Sequence, residues 1–85
     1  MTNRNSFPGI FEALQDAILQ NRSLSIRYRK YRGEVTTRII EPKRFVLVER
    51  RNSKYHRICV SAYCHLRQED RTFAVYRIEK LSIRR

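Results

Sequence analysis

Leu24-Ser25-Ile26-Arg27-Tyr28-Arg29-Lys30-Tyr31-Arg32-Gly33-Glu34-Val35-Thr36-Thr37-Arg38-Ile39-Ile40 is the stretch that decides the fold. Leu24, Ile26 and Tyr28 alternate with Ser25, Arg27 and Arg29, the period of two expected of a strand with one buried face. Arg32-Gly33-Glu34 supplies a turn, and Val35 to Ile40 runs back with β-branched residues at nearly every position. Such a run favours extended backbone, so the segment reads as a β-hairpin.

Outward from the hairpin, the N-terminal side reads as one helix over about residues 8–20. Ser6 is the expected N-cap, Pro8 and Gly9 sit in the first turn, and Ile10, Leu14, Ala17 and Ile18 recur at helical spacing until Asn21 and Ser23 end it. On the C-terminal side Pro42 lacks a ladder donor and marks a bend before Arg44–Val48. A turn over Glu49–Lys54 leads to the longest strand, Tyr55–Cys64. The polar loop His65–Asp70 precedes a strand over Arg71–Tyr76, and Ile78, Leu81 and Ile83 give a closing turn and a short last strand. Five short antiparallel strands in a chain of 85 residues are best satisfied by a sheet that curls on itself, since closure removes unpaired edges. The expectation is one mainly-β domain over 1–85, a small five-stranded barrel with a single N-terminal α-helix over one open end.

Fifteen arginines and four lysines stand against eight acids, a formal charge of +11. The excess is local. Residues 1–25 are balanced, whereas residues 26–57 carry eleven bases against Glu34, Glu41 and Glu49. Charge concentrated on strands and turns is the footprint of a surface that holds a polyanion. The preference for arginine strengthens that reading, because the planar guanidinium grips phosphate oxygens two at a time and stacks on rings.

Other classes find little support. No apolar run approaches the ~20 residues of a membrane span, and the N-terminus has no signal-peptide core, so a cytoplasmic protein is expected. Cys59 and Cys64 lie five apart in one strand and point to opposite faces, which disfavours a disulfide and scatters any metal set with His56 and His65. The carboxylates show no catalytic spacing, and neither a glycine-rich phosphate loop nor a nucleophile elbow is present. A non-enzyme without cofactor or metal is expected.

Three segments, in order and at matching separation, carry a family resemblance: Ser25–Arg29 followed by Gly33–Pro42, then Ala62-Tyr63-Cys64-His65-Leu66-Arg67, then Arg71-Thr72-Phe73 with Arg77-Ile78. Together they resemble the WYL domain, an SH3-like or Sm-like barrel of bacterial and phage transcription regulators and CRISPR-associated proteins. The tripeptide that names the family falls here on Ile58-Cys59-Val60, in which Ile58 and Val60 are expected to fill the core. Ala74 and Tyr76 also stand where the family more often has a base and an acid.

The resemblance implies a ligand-sensing or nucleic-acid-binding regulatory module. Its partners would be single-stranded DNA or RNA or a nucleotide-like effector, with a DNA-binding domain or regulator supplied from outside these residues. Matching basic positions residue by residue selects Arg38, His65, Arg67, Arg71 and Arg77, to which Tyr63 adds a ring for base stacking. Arg71, Phe73, Val75 and Arg77 share a strand parity, so Arg71 and Arg77 are expected to flank a groove. The rival is a protein-interaction module or homodimer that docks through an exposed patch with Phe7, Phe11 or Leu14. Individual residues also have plain structural roles open to them: Arg38 paired with Glu34 or Glu41, and Tyr28 half-buried with its hydroxyl satisfied.

Overall fold

The computed structural model describes residues 7–49 and 56–84. It contains helix α1 (Phe7–Gln20), strands β1 (Leu24–Arg29), β2 (Val35–Glu49), β3 (His56–Cys64) and β4 (Glu69–Ala74), a single 3-10 turn (Val75–Arg77) and strand β5 (Ile78–Ile83). The expected N-cap Ser6 and most of the turn over 49–54 lie outside the described residues.

The strands form one antiparallel sheet in the order β4-β3-β2-β1-β5. The opening stretch folds as read: Leu24 pairs with Ile40 and Arg29 with Val35. Gly33, at φ 92°, takes the left-handed backbone that only a residue without Cβ adopts cheaply. β4 and β5 are the outer strands. They are linked by the 3-10 turn and by Tyr28 of β1, whose hydroxyl accepts the Ala74 N–H at 3.1 Å. The Tyr28 ring packs edge-on to Phe73, with centroids 5.1 Å apart. The sheet therefore curls far enough for its second-last strand to touch β4.

Helix α1 lays Ile10, Leu14 and Ala17 onto the inner face, where they join Leu24, Ile26, Ile40, Val60, Ala62, Cys64, Phe73, Val75 and Ile78 in one core. It ends in a Schellman arrangement. Asn21 is left-handed (φ 53°), its N–H reaches Ile18 O, and the Arg22 N–H reaches Ala17 O, which satisfies two otherwise orphaned carbonyls.

Three local expectations give way to the geometry. Pro42 does not divide two strands. β2 runs through it on a bulge, because Pro42 pairs with Ala62 and Arg44 with Ser61, leaving Lys43 without an opposite residue. The extra residue absorbs the missing proline donor. The strand expected over 71–76 stops at Ala74, and Val75–Arg77 turn tightly, so the parity that aligned Arg77 with Arg71 does not reach Arg77. Within the substituted tripeptide Val60 fills the core, but Ile58 stays 36% exposed beside Leu47. That pair lies where the β2–β3 hairpin has outrun the helix that covers its inner face.

Candidate functional site

On the outer face of β1 the register sets side chains in rows. Ser25 stands between Ile39 and Ser82, and Arg27 between Thr37 and Lys80. The rows are separated by two residues of strand, about 6.6 Å. Three adjoining clefts run along this face. The largest, about 540 Å³, is bounded by Ser25, Thr37, Arg38, Ile39, His65, Leu66 and Arg84. A second shares Ser25 and Thr37 with it and adds Arg27, Lys80 and Ser82. A third shares Ile39, His65 and Arg84 and adds Asn21, Arg22 and Ser23. The result is a groove that gathers Arg22, Arg84, Arg27 and Lys80 with Ser23, Ser25, Thr37 and Ser82, while Arg38 borders it with its side chain turned to the inner face. No carboxylate lines it among the described residues.

Backbone bonds hold its walls. The Arg84 N–H donates to Ser23 O at 3.1 Å, and the His65 N–H to Ile39 O at 3.0 Å, so residues far apart in the chain meet over β1 and β2. The left-handed helix end places Arg22 at the opening.

Arg38 has an unusual environment. It points inward with the parity of Ile40 and is only 5% exposed. Its Nε donates to Thr36 Oγ1 at 3.3 Å and its Nη1 to Cys64 Sγ at 3.6 Å. No carboxylate answers it among the described residues, so the expected pairing with Glu34 or Glu41 is not formed. Burial pushes the Cys64 thiol up, but N–H groups of Arg67 and Leu66 and the Arg38 guanidinium together outweigh it. The thiol is held below its ordinary value. Cys59, on the other side of the strand, has its thiol pushed up by burial against the opposing charge of Arg57.

The remaining sequence-selected residues are dispersed. His65 reaches the groove while its Nε2 meets Glu41 Oε2 at 2.8 Å. Tyr63 packs edge-on to His65, centroids 5.5 Å apart. Arg67 serves Cys64 through its backbone, and Arg71 pairs with Glu69 at 2.9 Å on β4. Arg77 lies over the rings of Tyr31 and Tyr76, away from the groove. Of the residues selected from sequence, Arg38 and His65 border the clefts; Arg22, Arg84, Ser25 and Thr37 border them too and were not among those selected. The outward parity of Ser25 and Thr37 was readable, whereas the approach of Arg22 and Arg84 follows from tertiary contacts alone. None of Ile58, Cys59 and Val60 borders the three clefts.

No curated protein matches this chain. A solved structure, the proteasome accessory factor B/C (PafBC) of Arthrobacter aurescens, is similar over 98% of this chain at 30% identity and a TM-score of 0.74. The match takes in 12% of that chain, so the present residues correspond to a small part of it. The family model described as the WYL domain matches residues 9–83. With nearly every described element inside that match, the chain belongs to the WYL domain family.

Proposed function

We propose that this WYL domain is a regulatory binding module that holds single-stranded nucleic acid, or an oligonucleotide-like anion, along the groove over β1. The observation that carries the reading is the groove's composition: four cationic residues besides the inward-turned Arg38, and four hydroxyl-bearing residues, with no acid among the described lining residues. Phosphodiester backbones are held by such cations and hydroxyls, which position a strand without reading its sequence. Likeness to a segment of PafBC supports a role inside a larger regulator, where a DNA-binding domain or partner would report the bound state. Binding rather than catalysis, in the cytoplasm, is part of the same proposal.

The test is fluorescence anisotropy of a short labelled single strand, DNA or RNA, titrated at several salt concentrations. Engagement of about four phosphates gives a slope of log K against log salt near −3. Absence of binding to either strand at low salt overturns the reading.

A second reading has its own observation. The Phe7 side chain lies outside the described residues. Leu14 is buried and Phe11 stacks on Phe45 at 4.4 Å, so neither of these two supplies the patch expected of a docking domain. The hairpin does, through Leu47, 68% exposed, and its neighbour Ile58. A protein-interaction or homodimer role through this overhang predicts a salt-insensitive dimer by light scattering, abolished by Leu47→Ser.

A further inference from the structure

Beyond the C-terminal end of β1, away from the Arg22 and Arg84 end of the groove, four side chains form a continuous stack. The Arg57 guanidinium lies 5.0 Å from the centroid of the Tyr76 ring. Arg77 lies 5.2 Å from the same ring and 5.5 Å from that of Tyr31. Three separate segments supply it: β3, the 3-10 turn, and the turn between β1 and β2. Tyr31 is 79% exposed and Tyr76 52%. Neither arginine pairs with an acid among the described residues.

Large aromatic rings left in solvent forgo burial that would stabilise the fold. Two of them spaced by guanidinium groups make planar faces that alternate between an electron-rich ring and a cation. A nucleobase is a planar ring that stacks on tyrosine and on guanidinium alike, whichever base it is. A base buried in a duplex cannot reach such faces, while an unpaired one can.

We propose that the Arg57–Tyr76–Arg77–Tyr31 stack is a base-stacking platform, distinct from the β1 groove, which makes the module select strands with unpaired bases. This rests on the groove reading for the strand's backbone and adds a contact that the groove does not make.

Two oligonucleotides of equal length separate the contributions: an oligothymidylate and its abasic counterpart, which keeps the phosphates and lacks the bases. Anisotropy with the unmodified protein is expected to show the thymidylate bound about tenfold more tightly, the scale of one stacked base. Tyr31→Ala with Tyr76→Ala should abolish that preference while leaving the abasic affinity unchanged, which also shows that the variant is folded. Tyr31→Phe with Tyr76→Phe should keep the preference, because the ring and not the hydroxyl makes the contact. Equal binding of the two oligonucleotides by the unmodified protein overturns the platform and leaves the groove standing. A preference that survives the double alanine variant also overturns it. Failure of both oligonucleotides to bind at low salt overturns the groove and the platform together.

Discussion

The groove over β1 and the margin along β4 carry the same kind of cation in opposite company. Along β4 each cation meets an acid: Arg71 pairs with Glu69, and Lys43 reaches across from β2 to Asp70 at 2.9 Å. Along the groove Arg22, Arg38 and Arg84 meet none among the described residues. Arg27 stands between the two conditions. Glu79 bulges out of β5, because Arg27 pairs with Lys80 and Tyr28 with Ile78, and its carboxylate takes both Arg27 and Arg29. Net charge therefore locates nothing by itself. The placement of the acids divides a basic sheet into neutralised margins and one open channel.

Putting an acid where the groove has none should have the largest effect. Ser25→Asp sits where the largest cleft meets the second and places a carboxylate against the bound phosphates, where like-charge contact costs several kcal/mol. Affinity for a single strand by anisotropy is expected to fall by about 2–3 kcal/mol, with little change in thermal stability at this partly exposed site. Unchanged affinity would mean that the strand does not run over β1.

Arg38→Met sharpens the comparison differently. A buried cation without an acid gains little for the fold, and replacing it with an apolar chain of similar length should leave unfolding free energy within about 1 kcal/mol. Binding should nevertheless weaken by about 1–2 kcal/mol, the scale of a hydrogen bond to a charged group. A large stability loss with intact binding would make Arg38 structural. The link between β1 and β4 predicts the reverse pattern: Tyr28→Phe leaves the Ala74 N–H without its acceptor, costing about 1–2 kcal/mol in chemical denaturation while affinity holds.

Arg84→Ala should cost about 1 kcal/mol of binding, and Arg71→Ala less than about 0.5 kcal/mol, since an exposed pair already occupies it. Equal losses would leave diffuse attraction without a site. The smallest effect is expected from the cysteines. The Cys64 thiol is depressed, so its contribution to stability is present above the unfolded thiol value of 9.0 and is lost as pH falls through the lower folded value. The Cys59 thiol is raised, so its contribution is present below 9.0 and is lost as pH rises through the higher folded value. Denaturation across this alkaline range should show Cys64→Ser and Cys59→Ser tilting the pH profile in opposite directions.

The hairpin of β1 and β2 was legible because period two survives in any antiparallel sheet with one dry face, and helix α1 because Ile10, Leu14 and Ala17 keep helical spacing over about two turns. Val75-Tyr76 misled because a β-branched and an aromatic residue favour a strand wherever tertiary contact does not bend them. At the site, Arg38 was legible through its family position, but not its burial or its missing acid. Arg22, His65 and Arg84 converge only through bonds such as Arg84 N–H to Ser23 O, and no local pattern encodes that. Arg71 and Arg77 were chosen on position, and the folded chain gives them different neighbours, a carboxylate and two rings.

Lys43 counts as a residue of β2 and yet holds no place in its ladder. Before it the inward residues are Arg38, Ile40 and Pro42; after it Phe45 turns inward opposite Val60, and the odd positions replace the even ones. The bulge works as a reading-frame shift in three dimensions. Drawing Lys43 into the ladder opposite Ser61 would remove no residue from the chain, but it would turn the distal half of the hairpin inside out, aiming Arg44 and Val46 at the helix and Phe45 at water; deleting Lys43 would instead leave a regular ladder with Phe45 still inward opposite Val60. A residue whose side chain does no more than meet Asp70 thereby decides which face the following five present.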